Sequence, residues 1–203
     1  MSEEAIPAEF SSLVLATRND HKLREFNEAM SEVDLAPLPA EVELPPETGE
    51  TFAENALGKA RAAVAATGRA SLADDSGIES SALGGKPGVR SARFAGENAT
   101  DEENLEKLIH ELEGEEDRRV AYVCALALVT PDGSEWVVEG RCEGEFTDTP
   151  RGSGGFGYDP AFVPAAGRDE RTMAELTPEE KHGLSHRGAA IREMLDVIKA
   201  GRT

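Results

Sequence analysis

The spacing of apolar and polar residues predicts that the chain opens with a strand, a turn and a helix. The run Ser11–Ala16 is mostly apolar and is typical of a buried strand. The polar segment Thr17–Asp20 follows, and Leu23, Phe26 and Met30 then recur at the spacing of one face of a helix. We therefore expect the polar segment to lie between the end of a strand and the start of a helix.

Capping patterns place two further helices. Thr51–Glu54 has the form of a capping box, and Gly68 is a natural stop for the Ala-rich helix that it begins. A short apolar strand over residues 70–73 then precedes the polar run Asp74–Gly77. Thr100–Glu103 begins the next helix in the same way. The proline-rich stretch before Thr51 predicts an extended segment or loop.

The second half of the chain adds a hairpin and a glycine-rich loop. Arg119–Val129 and Glu135–Cys142 are strand-like, and Pro131–Gly133 between them has strong turn chemistry. Helices are expected after Thr177 and Ser185. Strand–helix–strand units together with a hairpin predict an α/β fold with a mixed sheet. We expect a single domain over residues 1–203, with the first 11 or so residues as a flexible tail.

Composition excludes several classes of protein. The 203 residues include 21 Lys and Arg against 40 Asp and Glu, a net charge of −19, which argues against nucleic-acid and anionic-membrane binding. No apolar stretch approaches the roughly 20 residues that cross a bilayer. The acidic start is unlike a signal peptide, and two cysteines without CxxC spacing indicate no disulfide framework, so we expect a cytoplasmic protein.

The excess of acid has two interpretations. With 6 Lys and 15 Arg, the chain resembles proteins of a very salty cytoplasm, where charge repulsion is screened. A GC-rich genome, which favours Arg, Gly and Ala codons, explains the same composition equally well.

Polar clusters at the ends of predicted strands are the candidates for chemistry. The segment Thr17–Lys22 offers groups that suit phosphate oxygens. They are the first N–H groups of a helix, the Thr17 and Asn19 side chains and the Lys22 charge. Ordinary capping by Asn19 or Asp20 beside a solvated Lys22 explains the pattern equally well. The second cluster, Asp74–Gly77, combines adjacent carboxylates that suit Mg²⁺ beside phosphates, and one of them could accept a proton from water. An ordinary Asp turn is the alternative.

Cations are concentrated locally in this acidic chain. Residues 84–93 and 181–192 each carry three Lys or Arg residues and no acid, which suggests an anionic ligand. Phe156 and Tyr158 could offer an aromatic face to a nucleobase, with His186 and Arg187 as hydrogen-bond donors. The aromatic residues could equally anchor the glycine-rich loop to the core.

The chain contains six characteristic segments: LATRNDHKLREF from Leu15, ETGETFAENALGKA from Glu47, ADDSG from Ala73, ALGGKPGVRSARFAG from Ala82, GGFGYDPAF from Gly154 and AELTPEEKHGLSHRG from Ala174. Taken in this order, they resemble the inosine triphosphate pyrophosphatase family. The resemblance implies an elongated α/β fold with a long mixed sheet, two lobes with a nucleotide cleft between them, and a homodimer. It further implies Mg²⁺-dependent hydrolysis of ITP, dITP and XTP between the α and β phosphates, giving a nucleoside monophosphate and pyrophosphate.

The resemblance also implies roles for individual residues. Asp75 is the expected general base and metal-associated carboxylate. The family's second metal-linked carboxylate falls on Pro46, so Glu47 is expected to take its place, or else Asp74 does. The expected substrate-binding residues are Thr17, Arg18, Asn19, Asp20, His21, Lys22, Lys59, Ser76, Phe156, Gly157, Tyr158, Asp159, Lys181, His186 and Arg187.

Two other functions stay open at this point. One is that of a relative in the same superfamily, acting on modified pyrimidine or standard nucleoside triphosphates, which a panel of nucleoside triphosphates would distinguish. A nucleotide-binding sensor without catalysis would be favoured if Pro46 has removed the metal from the site.

Overall fold

A computed structural model describes residues 6–167 and 169–201. The elements alternate between strands and helices in the first half and include a hairpin in the second. In chain order they are β1 (Ser12–Leu15), α1 (Asp20–Ala29), β2 (Asp34–Pro37), α2 (Phe52–Thr67), β3 (Ser71–Ser80), α3 (Asp101–Glu111), β4 (Arg119–Val129), β5 (Glu135–Phe146), β6 (Phe162–Pro164), α4 (Pro178–Leu184) and α5 (His186–Ala200).

The strands form one mixed sheet in the order β2-β1-β3-β4-β5-β6. β1 runs parallel to both β2 and β3, whereas β5 and β6 are antiparallel. β4 and β5 are joined by a turn in which the Thr130 N–H donates to the Ser134 carbonyl. The predicted α/β class with a mixed sheet is therefore confirmed. Among the described helices, none is long and apolar enough to cross a membrane.

Local capping chemistry sets the helix ends, as the sequence predicts. Thr51 and Thr100 each form a complete capping box with the Glu three residues on, at the start of α2 and α3. Gly68 ends α2 with φ of 64°, a left-handed conformation in which glycine has no Cβ penalty. Thr177 caps α4, which has Pro178 at its first position.

Two strands are longer than predicted. β3 continues past Ala73 to Ser80, so Asp74 and Asp75 lie inside a strand rather than in a turn after it. β5 continues past Cys142 to Phe146, with alternate residues buried. The apolar pattern misses both extensions because buried carboxylates and glycines occupy inward positions there. At Gly144 a Cβ would collide with β6, at the Val163 carbonyl and the Phe162 ring.

The chain divides into two compact units. The first comprises the chain up to Asp75, Cys124–Gly140 and the chain from Gly188 onward, and the second comprises Ser76–Val123 and Arg141–Arg187. Each unit has its own apolar core. Buried members of the first core include Leu13, Phe26, Leu72, Leu126 and Met194, and those of the second include Ile78, Leu108, Tyr122, Phe162 and Met173.

The expected N-terminal tail is only partly testable. Residues 1–5 lie outside the described part of the chain. Phe10, however, is 2% exposed and packs edge-on against Trp136, with ring centroids 5.8 Å apart. The flexible tail therefore stays a prediction, with Phe10 packed against the first core.

Candidate functional site

In the first unit, Lys59 joins two carboxylates from different segments. Its Nζ lies 2.6 Å from Glu47 Oε1 and 3.3 Å from Asp75 Oδ1. Lys59 projects from α2, Asp75 from β3 and Glu47 from the loop before α2. The Lys59 and Asp75 side chains are almost fully buried, whereas Glu47 is 30% exposed. The predicted general base, the predicted second carboxylate and the predicted phosphate lysine therefore form one cluster.

Asn55, which was not among the predicted site residues, completes this cluster. Its Nδ2 donates to Asp75 Oδ2 over 2.9 Å, and its Oδ1 accepts from the Gly49 N–H over 2.8 Å. Asn55 lies four residues before Lys59 on α2, so both side chains project from one face of that helix. That spacing within the matched segment is the signal that could have identified Asn55.

Asp74 has a different set of partners from Asp75. Lys22 Nζ lies 2.9 Å from Asp74 Oδ2, and Cys124 Sγ lies 3.9 Å from the same oxygen. Successive side chains in a strand point to opposite faces, which accounts for the separate partners. Lys22 is 14% exposed along its side chain, so the alternative of a solvated lysine does not hold.

Burial and charge shift the acidity of this cluster. Burial is the largest influence on Asp75 and raises its pKa above the ordinary value, while the Lys59 ammonium opposes the shift. Burial lowers the pKa of Lys59, but the carboxylates of Asp75, Asp74 and Glu47 together raise it by more, so that Lys59 stays protonated. The cluster therefore combines a fixed cation with a carboxylate that accepts a proton more readily than an exposed one does.

The donor atoms of the cluster fit a hard cation. Glu47 and Asp75 supply carboxylate oxygens, the ligand type of Mg²⁺, and they already share one cation, the Lys59 ammonium. Within residues 6–167 and 169–201, no group of three or more His, Cys, Asp or Glu side chains is arranged to hold a metal. Two carboxylates are what Mg²⁺ commonly takes from a protein when substrate phosphates supply further oxygens.

The loop before α1 has its own internal contacts. Asn19 caps the helix, its Oδ1 accepting from the N–H groups of His21 and Lys22 at 2.9 and 3.1 Å. The His21 ring contacts Arg24, with Nδ1 and Nη2 2.9 Å apart. Thr17 Oγ1 accepts from the Asn19 N–H over 3.2 Å. The capping predicted for Asn19 is confirmed, and it accounts for the local structure without a ligand.

Arg18 makes contacts that its predicted role did not include. Its guanidinium donates to backbone carbonyls in residues 38–42 rather than pointing to another polar side chain. Asp20, the first residue of α1, is exposed.

In the second unit, Asp159 is the centre of a buried polar network. Its Oδ2 accepts from Lys181 Nζ and from the Phe156 N–H, each at 2.9 Å, and its Oδ1 accepts from the Tyr122 hydroxyl at 3.1 Å. Asp159 is 4% exposed. A Cβ at Gly155 would collide with the Asp159 carboxylate, which explains the glycine at that position.

Tyr122, which was not among the predicted site residues, links this network to the predicted base-binding residues. Its ring stacks on His186, with centroids 4.6 Å apart and an interplanar angle of 15°, and also stacks on Phe162. Burial, followed by the Asp159 carboxylate, raises the pKa of Tyr122 far above its ordinary value, so the hydroxyl remains a donor. An aromatic residue in an apolar strand is typical of a core position and gave no signal of this link.

The remaining predicted residues of this unit surround the same network. Arg187 is 3% exposed, and its Nη2 donates to Ser76 Oγ over 2.9 Å. The Phe156 ring lies beneath two cations, 5.2 Å from Lys181 Nζ and 5.9 Å from Arg187 Cζ. Such positions allow cation–π attraction.

The glycine-rich loop is held at two further points. The Gly157 N–H donates to the Asp101 carboxylate over 2.9 Å. The Tyr158 hydroxyl donates to the Ser91 carbonyl over 2.8 Å, and its ring lies in the second core. Of the two interpretations of the loop aromatics, anchoring therefore describes Tyr158.

Comparison with known proteins identifies the class. The Ham1 family matches residues 13–197 of the chain. The dITP/XTP pyrophosphatase of Cutibacterium acnes is 46% identical, with 94% of this chain and 97% of that protein covered. The protein of the same name from Symbiobacterium thermophilum is 48% identical over 93% of this chain and 95% of its own length. The solved structure of a HAM1 protein from Coxiella burnetii has a TM-score of 0.85 and 41% identity, covering 94% of this chain and 99% of that one.

These matches extend over nearly the whole chain, and the resemblance inferred from six motifs is confirmed. The chain is an α/β protein with a mixed sheet, and it belongs to the Ham1 family.

Proposed function

We propose that this chain hydrolyses dITP, XTP and ITP to the nucleoside monophosphate and pyrophosphate, removing deaminated purines from the nucleotide pool. Membership of the Ham1 family and the activity in its relatives' names support this function. The structural observation that carries it is the buried cluster of Lys59, Glu47 and Asp75. We also propose that the protein acts in the cytoplasm as a homodimer, as its family resemblance implies.

The first unit supplies groups suited to phosphoryl chemistry. Lys22 and Lys59 carry fixed positive charge that stabilises phosphate oxygens as negative charge develops on them. Burial raises the pKa of Asp75 and makes its carboxylate a better proton acceptor toward an attacking water. Asp75 is therefore proposed as the general base, hydrogen-bonded by Asn55 in a fixed orientation.

We propose that Glu47 and Asp75 hold Mg²⁺ together with substrate phosphates. Glu47 is favoured over Asp74 as the second carboxylate because Glu47 shares the Lys59 ammonium with Asp75, whereas Asp74 pairs with Lys22. When bound, the ion neutralises phosphate charge and orients the triphosphate.

The second unit supplies donors suited to a purine. Inosine and xanthine present a carbonyl acceptor at position 6, where adenine presents an amino donor. A buried donor such as Arg187 is satisfied by the carbonyl but faces another donor when adenine binds. Phe156, with Lys181 and Arg187 over its ring, is proposed as the aromatic face for the base.

Product analysis with Asp75→Asn tests the function. With ITP and Mg²⁺, wild type should give IMP and pyrophosphate, whereas IDP and phosphate would contradict the proposal. Loss of the general base should lower kcat by about one hundred to ten thousand-fold, while the circular dichroism spectrum stays unchanged. Asp117→Asn is the matched control, because Asp117 pairs with Arg119 outside the proposed site. Full activity of Asp75→Asn would refute the role of Asp75.

A further inference from the structure

Arg18 holds four backbone carbonyls of one segment. Its Nη1 donates to the Leu38 carbonyl over 2.9 Å. Its Nη2 lies 2.6 Å from the Pro39 carbonyl, 3.3 Å from that of Ala40 and 2.7 Å from that of Val42. The planar fork of a guanidinium suits several acceptors at once, which a lysine ammonium does not match. Residues 38–42 thus fold around the end of this one side chain.

The segment has few backbone partners of its own. It follows β2, which ends at Pro37, and residues 38–46 include three prolines that have no N–H to donate. Within it, the Val42 N–H donates to the Pro39 carbonyl over 3.1 Å. Backbone carbonyls need donors, and here the Arg18 guanidinium supplies them.

The segment leads directly to the Glu47 carboxylate. Glu47 Oε1 accepts from Lys59 Nζ over 2.6 Å, beside Asp75. Arg18, which contacts residues 38–42, lies between Thr17 and Asn19 in the loop before α1. The guanidinium therefore joins the loop before α1 to the segment that leads to the proposed metal carboxylate Glu47, entirely within the first unit.

We propose that Arg18 is a positioning residue, which fixes residues 38–42 and through them Glu47, and that it does not itself bind the triphosphate. This inference rests on the proposed function, because the role of Glu47 toward Mg²⁺ comes from there. This positioning role replaces the direct substrate contact that the family resemblance implies for Arg18.

Arg18→Ala tests the inference with two measurements. Without the guanidinium, residues 38–46 should open, and a glutamyl endopeptidase should cleave after the exposed Glu41 and Glu43 at least about tenfold faster under native conditions, as followed by mass spectrometry. The Mg²⁺ concentration for half-maximal ITP hydrolysis should rise by about tenfold or more, as for loss of a group that orients a metal ligand. At saturating Mg²⁺ the KM for ITP should stay within about twofold of wild type, since no phosphate contact is lost.

Three further variants sharpen the test. Arg61→Ala is the matched control, because Arg61 pairs with Glu135 in the same unit and does not contact residues 38–46. Arg18→Lys should protect the segment only partly. The effects of Arg18→Ala and Glu47→Gln on the Mg²⁺ requirement should be less than additive, because both act through the same carboxylate.

The outcomes separate the two proposals. If wild type releases IMP and pyrophosphate but Arg18→Ala leaves both cleavage and the Mg²⁺ requirement unchanged, only the positioning role fails. A raised KM for ITP with unchanged cleavage would identify Arg18 as a substrate contact and overturn the inference. If wild type does not hydrolyse ITP, the proposed function fails. Faster proteolysis of Arg18→Ala would still show that Arg18 holds residues 38–42 in place.

Discussion

At the scale of single residues, Lys59 determines the charge state of the cluster around it. Two carboxylates contact its ammonium, and Asp74 adds to the field that raises the pKa of Lys59. A buried ammonium with such neighbours keeps its charge, and that charge in turn opposes the effect of burial on Asp75. Lys59 therefore helps to keep Asp75 ionised in a site where burial favours its protonated form.

Replacing Lys59 should change the pH dependence of hydrolysis. In Lys59→Met the lowering influence on Asp75 is lost, while burial and Glu47 still raise its pKa. Asp75 must be ionised to accept a proton, so activity should fall at a higher pH than in wild type as the solution is acidified. The pH profile of kcat/KM for ITP measures this shift.

Lys107→Met is the matched control for that profile. Lys107 is on α3, where its Nζ donates to the Phe94 carbonyl and lies over the Phe94 ring, away from the proposed site residues. Its profile should follow wild type. An acid limb at the same pH in Lys59→Met and wild type would contradict the coupling between Lys59 and Asp75.

At the scale of elements, α2 positions two site side chains by one cap and one spacing. Its capping box begins the helix at Thr51, and Asn55 and Lys59 then follow one turn apart. Both contact Asp75 on β3. The geometry of the cluster therefore depends on where this helix begins.

The two Thr–Glu capping boxes allow a matched test of that dependence. Thr51→Ala and Thr100→Ala each remove the hydroxyl that accepts from the third helical N–H. Each should lower the free energy of unfolding by about 1 kcal/mol, as measured by urea denaturation. Thr51→Ala should lower kcat/KM for ITP by the larger factor, because α2 carries both Asn55 and Lys59. The start of α3 contacts the predicted site residues only through Asp101, which accepts from the Gly157 N–H. Equal effects of the two variants on activity would show that the start of α2 does not position the site.

At the scale of the whole molecule, a quarter of the acidic residues lie in one exposed segment, residues 97–117. Residues 97–117 carry 10 acids and a single Lys, and all of these acids except Asp117 are exposed. The cations of the proposed site, by contrast, are buried or nearly so, as for Lys22, Lys59 and Arg187. The carboxylates of the site, Asp74, Asp75 and Asp159, each pair with a lysine. The net charge of −19 therefore does not by itself exclude a polyanionic substrate, since the local potential counts more than the net charge.

This distribution predicts that salt stabilises the fold. A net charge of −19 on an exposed surface favours repulsion between carboxylates. Raising KCl from about 0.1 M to 1 M shortens the Debye length from about 10 Å to about 3 Å and screens that repulsion. Urea denaturation at the two KCl concentrations should give the higher free energy of unfolding at 1 M. A variant with Glu102, Glu106 and Glu116 changed to Gln should gain less, whereas no gain in wild type would favour the codon-bias interpretation.

Much of the site could be predicted because its motifs are local. Thr17–Lys22 and Asp74–Gly77 were identified from their polar residues, and the structure joins them through the ion pair of Lys22 and Asp74. The contacts that the prediction missed connect residues far apart in sequence. Asn55 binds Asp75, and Tyr122 binds Asp159 and stacks on His186. An amide on a helix and an aromatic residue in a strand look like ordinary structural residues until the fold brings their partners to them.

The sequence by itself determined the α/β class, the starts of α2, α3 and α4 and the family, because caps, turns and motifs depend on residues a few positions apart. Only the tertiary structure decided that β3 runs through Asp74 and Asp75, that these carboxylates have separate partners, and that Arg18 holds residues 38–42. The physical reason is burial. A buried carboxylate, such as Asp74 or Asp75, is tolerated only when cations or hydrogen-bond donors from other elements reach it, and the folded chain determines which of them do.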